Sequence, residues 1–104
     1  MEKKRMYIIC RGDLNPLYAA IQGGHALADH ALRHPDEFAD WGNSFIIYLK
    51  ERDEARLQRL KSKLEGKGLN CGRFIEPDIG NALTAISCYA EPGTFKNLST
   101  LRLN

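Results

Sequence analysis

The fold of this chain is decided by MYIICRGDLNP at residues 6–16 and by QGGHA at residues 22–26. The first five of these residues form an apolar run with β-branched and aromatic side chains, which predicts a buried strand. The Asn-Pro pair at 15–16 predicts a helix start, because Asn is a favoured N-cap and Pro suits the first helical position. Arg11 and Asp13 therefore stand between a strand and a helix, where open α/β sheets bind their ligands.

Hydrophobic patterning along the rest of the chain predicts alternating strands and helices. The predicted strands are residues 6–10, 45–49, 71–75 and 82–89, and the predicted helices are residues 16–33, 35–41 and 53–66. Helices join the first three strands, which favours parallel crossovers, whereas only a short loop separates the last two, which should run antiparallel. We expect one compact α/β domain, residues 1–104, with a mixed four-stranded sheet flanked by helices.

The first helix carries an apolar stripe that is predicted to face the sheet. Its members recur at helical spacing: Leu17, Ile21, Gly24, Ala28 and Ala31. The helix also contains the pair Gly23-Gly24, and each glycine inside a helix costs about 1 kcal/mol relative to alanine. Two adjacent glycines therefore indicate close approach of a ligand, of another backbone or of the sheet itself.

The composition is that of a single globular domain. Of its 104 residues, 43% are hydrophobic and 27% are charged, and no apolar run approaches the length that spans a membrane. The formal net charge of +2 permits an acidic partner such as RNA without requiring one. The three cysteines, Cys10, Cys71 and Cys88, all fall in predicted strands, which predicts buried, reduced thiols and a cytoplasmic location.

A row of polar side chains borders the apolar stripe on the first helix. Tyr18, Gln22, His25 and Asp29 fall within a narrow angular band at helical spacing. One interpretation is a site in which this row faces a cleft below Arg11 and Asp13. The other is an ordinary amphipathic boundary in which the histidine is simply satisfied. The residues alone leave both interpretations open.

Two carboxylates follow the third predicted strand, in the loop EPDIGN at residues 76–81. If the first and third strands are parallel, Glu76 and Asp78 lie at the same sheet edge as Arg11 and Asp13. A carboxylate near a histidine is the usual arrangement for orienting a base or activating water. The loop is equally well explained as a plain turn, because Pro, Asp, Gly and Asn all favour turns.

Basic side chains form a row on the third predicted helix. Its members are Arg52, Arg56, Arg59 and Lys63. The row lies opposite the leucines of that helix and suits contact with phosphates, although a solvated face explains it as well. His30 and His34 have the spacing of metal ligands, but no third ligand accompanies them in a known arrangement, so no metal is predicted.

The chain resembles the second class of peptidyl-tRNA hydrolases, the type typical of archaea and eukaryotes, over about residues 6–92. Members of this family open with an apolar strand, Arg-x-Asp-Leu and then Gln-x-x-His-Ala on the first helix, and these motifs fall on residues 11–14 and 22–26. The later family motif, a carboxylate loop followed by a threonine, falls on residues 76–84. The helix-start lysine of the family, thought to be catalytic, falls on Tyr18, and the Thr-Gln pair of the later motif is absent.

The resemblance implies a peptidyl-tRNA hydrolase II-like domain that cleaves the ester between a peptidyl or N-blocked aminoacyl group and tRNA. No metal or cofactor is implied. The expected catalytic residues are His25 as the group that positions or deprotonates water, Glu76 or Asp78 as its orienting carboxylate, and Asp13 as the brace of Arg11. The expected substrate-binding residues are Arg11, Gln22, Tyr18 and Thr84. The implied partner is tRNA, with the basic row on its backbone, and the family often forms homodimers.

Two other functions stay open at this point. The tyrosine at the lysine position and the missing Thr-Gln pair favour a non-catalytic module that binds RNA or a protein on the same scaffold. A hydrolase or transferase for small molecules is the third alternative. Ester loss from an N-blocked aminoacyl-tRNA separates the enzyme from the binding module.

Overall fold

Five strands form one mixed sheet in the computed structural model, which describes residues 3–103. In chain order the elements are β1 (Arg5–Arg11), α1 (Pro16–Arg33), α2 (Pro35–Trp41), β2 (Ile46–Glu51), α3 (Glu54–Gly66), β3 (Cys71–Glu76), a 3-10 turn (Pro77–Ile79), β4 (Ala82–Ala90) and β5 (Ser99–Thr100). The strand order across the sheet is β3-β4-β1-β2-β5. Because β1 and β2 are parallel and β4 is antiparallel to both β1 and β3, the first three strands end at the same sheet edge.

The mixed α/β architecture matches the sequence prediction, but the predicted number of four strands is wrong. The fifth strand, β5, pairs antiparallel with Leu49 and Lys50 of β2. Both residues of β5 are polar and exposed, so this segment carries no alternating pattern that could predict a strand. It pairs because the tertiary fold brings the tail beside the outer edge of β2. The predicted domain also includes residues 1, 2 and 104, which lie outside the described residues.

Helix α1 packs on the sheet through a different face from the one its apolar stripe predicts. Leu17 and Ile21 of that stripe are 62% and 54% exposed, so this prediction is wrong. The residues of α1 that are buried are Ala19, Gln22, Gly23, Ala26 and His30. Small side chains are needed on this face because the helix crosses β1 closely: a Cβ atom added at Gly23 would lie 2.7 Å from Cγ2 of Ile8.

Two polar residues of the buried face find polar partners. Gln22 accepts a hydrogen bond from Thr84 on β4 at 2.8 Å. The His30 ring lies 2.7 Å from the Ser87 hydroxyl and 2.9 Å from Glu37 of α2. Because a buried polar group without a partner costs about 1–3 kcal/mol, these contacts specify one position of α1 on the sheet.

The core lies in two layers, one on each face of the sheet. The layer under α3 contains Ile9, Leu57 and Ile86, and the layer under α1 contains Met6 and Ile8, all of them fully buried. Burial of one such side chain contributes about 1.5–3 kcal/mol, so both helices are held firmly on the sheet. The three cysteines are buried and unpaired, as predicted. Within residues 3–103, no helix combines the length and the apolar character needed to cross a membrane.

Candidate active site

The candidate site lies at the sheet edge where the parallel strands end. Strands β1 and β3 deliver Arg11 and Glu76 to this edge, and α1 begins there after a short loop. The side chain of Asn15 caps α1, since its Oδ1 accepts hydrogen bonds from the amides of Leu17 and Tyr18 at 3.0 and 3.3 Å. The cap fixes the first turn of α1 and thereby the direction in which Tyr18 leaves the helix.

Glu76 is held by two side chains of α1. Its Oε1 accepts a hydrogen bond from the Tyr18 hydroxyl at 3.0 Å and a longer one from Gln22 Nε2 at 3.4 Å. No hydrogen-bond donor within residues 3–103 contacts its second oxygen, Oε2, which can therefore accept a bond from water. Burial, and then the hydrogen bond to Glu76, raises the pKa of Tyr18.

A β-bulge directs Thr84 into the same cluster. The pairing of β3 with β4 shifts by one residue between Phe74 and Ile75, which leaves Thr84 as an extra residue on β4. Its side chain faces α1, where the hydroxyl donates to Gln22 Oε1 at 2.8 Å. Because Thr84 occupies Gln22 Oε1, the Gln22 Nε2 group is left to donate toward Glu76. The bulge thus fixes the order of this hydrogen-bonded chain, from Thr84 through Gln22 to Glu76. Bulges often re-aim a side chain next to an active site.

His25 lies about one helical turn after Gln22 and is exposed. Its ring stacks on the ring of Phe74, with centroids 4.3 Å apart and an angle of 16° between the planes. Alternate residues of a strand share a face and lie about 7 Å apart, so Phe74 places the imidazole near Glu76 rather than in contact with it. Within residues 3–103 no hydrogen bond occupies the ring nitrogens of His25, and no hydrogen bond joins this ring to Glu76.

Arg11 and Asp13 form a second cluster on the opposite face of the sheet. Side chains alternate along β1, and Arg11 follows Ile9 on the face that α3 covers. The pair is bidentate, with Nε donating to Oδ1 at 3.0 Å and Nη2 donating to Oδ2 at 2.9 Å. This contact lowers the pKa of Asp13 and raises that of Arg11. Asp13 thus braces Arg11, and no hydrogen bond within residues 3–103 joins this pair to His25 or Glu76.

Asp78 lies in the exposed 3-10 turn after β3 and contacts the α1 row only through its charge. It takes part in no side-chain hydrogen bond within residues 3–103, but its carboxylate adds to the upward shift of the Tyr18 pKa. Of the two carboxylates that the loop offers, Glu76 is the one in direct contact with the row of polar side chains on α1.

The basic row borders two surface cavities beside the end of β2. One cavity, of about 480 Å³, is lined by Arg52 together with Gly12, Glu51 and other residues. Glu51 also lines the second cavity, of about 250 Å³. The other three members of the row line this second cavity: Arg56, Arg59 and Lys63. The row is therefore accessible to a ligand, but it lies on α3 and just before it, and no hydrogen bond within residues 3–103 joins it to the Glu76 cluster.

The residues that sequence reasoning missed are Phe74 and the bulge that aims Thr84. An aromatic residue in an apolar strand is usually a core residue, and the bulge has no glycine to mark it.

Within residues 3–103 no group of three or more His, Cys, Asp or Glu side chains is arranged to hold a metal ion. No family model matches the chain, and no curated protein matches it either. Tyr18, Glu76 and His25 provide a phenol, a carboxylate and an imidazole on the side of the sheet that α1 covers, and the buried Gln22 supports Glu76 there.

Proposed function

We propose that the protein hydrolyses the ester bond between a peptidyl or N-blocked aminoacyl group and tRNA, on a fold of the second peptidyl-tRNA hydrolase class. The observation that carries the proposal is the contact of Glu76 with Tyr18 and Gln22 beside the His25 ring. This contact joins the two motifs on which the family resemblance depends, one on α1 and one after β3. The two motifs are separated by about 50 residues of chain, so their meeting at one point supports a shared role.

Ester hydrolysis needs a base for water, a donor for the developing oxyanion and a proton for the leaving oxygen. In the proposed reaction, His25 takes a proton from a water molecule that Glu76 orients. The hydroxide adds to the ester carbonyl, and the bond from the carbonyl carbon to the ribose 3′ oxygen then breaks. His25 returns the proton to that oxygen, which leaves a free carboxylic acid and tRNA.

Tyr18 is the proposed donor to the oxyanion. It occupies the position of the family lysine, and like any tyrosine with an ordinary or raised pKa it carries its hydroxyl proton at neutral pH. In the absence of substrate the hydroxyl donates to Glu76, and rotation about the C–O bond can redirect it to a bound ester. A neutral phenol stabilises negative charge less than an ammonium group does. We therefore expect the ester to be hydrolysed more slowly than it would be with a lysine at this position.

In the proposed complex, the groups that hold the tRNA backbone lie on the face of the sheet that α3 covers, across the sheet edge from the Glu76 cluster. Arg11 binds a phosphate near the 3′ end and Asp13 keeps its guanidinium in place. Thr84 holds Gln22, and Gln22 in turn orients Glu76. The basic row contacts the RNA backbone at a distance from the ester. The accessible cavities along that row support this assignment.

The test is ester loss from N-acetylaminoacyl-tRNA that is labelled in its aminoacyl group, measured as the decrease of label that precipitates with the tRNA in acid. We expect wild-type turnover, a rate about 100-fold lower for His25→Ala and an intermediate rate for Tyr18→Phe, because positioned acid–base groups contribute roughly 10²- to 10⁴-fold. Leu32→Ala is the matched control, since Leu32 lies on the same helix and is 83% exposed. Turnover that is equal in wild type and His25→Ala would refute the assigned mechanism.

The second candidate function is a binding module for RNA, and the basic row beside two cavities favours it. This module retains tRNA with an affinity that falls steeply with salt concentration, but it does not cleave the ester. Filter binding of uncharged tRNA between low and high salt, run beside the ester assay, separates the two functions. The absence of both binding and turnover discards both.

A further inference from the structure

The β4 segment that contains the bulge at Thr84 is held by side chains on the opposite face of the sheet. Before the bulge, β3 and β4 pair regularly up to Phe74 and Ala85, and after it Ile75 pairs with Leu83. The pairing of β1 with β4 also stops at Ala85. On the side of β4 that faces β1, the amide and carbonyl of Leu83 therefore have no strand partner.

Side chains replace that missing strand partner at Leu83. Its amide donates to Glu54 Oε2 at 2.8 Å, and its carbonyl accepts from Arg11 Nη1 at 3.4 Å. Leu83 itself is almost fully buried. A backbone amide in such surroundings requires an acceptor, and the carboxylate of Glu54 supplies a charge-assisted one.

Glu54 is the first residue of α3, where an acidic side chain commonly does no more than interact with the helix dipole. Here the N-cap role is already filled by Asp53, whose side chain accepts from the amide of Arg56 at 2.9 Å. The Glu54 carboxylate instead reaches across to β4. It therefore connects α3 to the one segment of β4 that bears Thr84.

We propose that Glu54 is a positioning residue for the site, because it holds the Leu83 peptide and so keeps the Thr84 hydroxyl directed at Gln22. The connection then runs from Glu54 through the backbone of Leu83 and Thr84 to Gln22, whose amide donates to Glu76. Glu54 touches none of the reacting groups. This inference rests on the proposed hydrolase function for its kinetic consequence, but its structural part is independent of that function.

The test compares Glu54→Ala with Glu54→Gln. Glutamine keeps an oxygen that accepts the Leu83 amide, whereas alanine removes it. In the ester assay we expect Glu54→Ala to lower kcat by about 10- to 100-fold with KM for tRNA nearly unchanged, as small misplacements of catalytic groups do. Glu54→Gln should stay within a few-fold of wild type. Asp53→Ala is the matched control, because it weakens the start of α3 without touching Leu83.

Amide hydrogen exchange and NMR chemical shifts provide a reading that does not depend on activity. We expect Glu54→Ala to accelerate exchange at Leu83 and to shift the Gln22 side-chain amide, while Glu54→Gln leaves both near wild type. Unchanged exchange and shifts in Glu54→Ala would overturn the positioning role even if the enzyme is active. An equal loss of kcat in Asp53→Ala would also overturn it, since the effect would then be one of general stability. A wild-type protein without turnover refutes the hydrolase proposal instead.

Discussion

Alanine substitutions at the adjacent glycines Gly23 and Gly24 should change stability in opposite directions. Both residues lie inside α1, so each substitution gains about 1 kcal/mol of helix propensity. At Gly24 nothing lies within 4 Å of the added Cβ, and the gain is kept. At Gly23 the Cβ would meet Ile8 at 2.7 Å, Tyr48 at 2.8 Å and Cys10 at 2.9 Å. Overpacking of this kind costs about 1–3 kcal/mol, and three contacts on three side chains place it near the upper value.

The two variants should therefore differ by about 3 kcal/mol in the free energy of unfolding. Since about 1 kcal/mol shifts Tm by roughly 4 °C in a domain of this size, Gly24→Ala should raise Tm by about 4 °C and Gly23→Ala should lower it by about 8 °C. Urea unfolding followed by circular dichroism measures both free energies, and equal far-ultraviolet spectra would show that both variants are folded. If Gly23→Ala is as stable as Gly24→Ala, α1 does not sit on β1 at this residue and the placement of the site is wrong.

Two further predictions concern the polar groups that hold α1 in place. Asn15→Ala should destabilise the protein by about 1 kcal/mol, because the cap of α1 is lost, whereas Asn15→Asp should be nearly neutral in the same urea unfolding experiment. Burial lowers the pKa of His30 in the folded state, so the unfolded chain binds more protons below its ordinary pKa of about 6.5. Stability should fall as the pH drops from about 6.5 toward the folded-state pKa, by at most about 1.4 kcal/mol per pH unit, and His30→Gln should reduce this slope. A pH profile that is identical in wild type and His30→Gln would contradict the assignment.

The helices and the four longer strands are predictable from the sequence because local signals mark them. Asn15-Pro16 marks the start of α1, and continuous apolar runs mark β1 and β4, so their element types follow from propensity and pattern. The two-residue strand β5 has no such signal and forms only because the tail lies beside β2. The buried face of α1 could not be predicted from hydrophobicity, because close packing at Gly23 selects small residues and leaves Leu17 and Ile21 outside.

The candidate site was predictable in part for a related reason. A parallel arrangement of β1 and β3 brings the ends of both strands to one edge, and the order of helices and strands suggests that arrangement. What the sequence could not show is which face of the sheet each side chain takes. The bulge at Thr84 alters the alternation of β4, and one residue of shift decides whether a hydroxyl points at α1 or at α3. Arg11 lies on the face opposite His25 for a separate reason, since it follows Ile9 in the alternation of β1, and Asp13 is paired with it there.

The most direct test of the account is the rate of ester loss from N-acetylaminoacyl-tRNA by Glu76→Gln. Glutamine is nearly isosteric with glutamate and can still accept the Tyr18 hydrogen bond, so the fold and the contacts of α1 should persist. The carboxylate that orients the water is lost, and we predict a rate at least about 100-fold below wild type with unchanged tRNA binding. A rate within about threefold of wild type would mean that the carboxylate where α1 meets β3 has no part in the chemistry, and it would contradict the central claim.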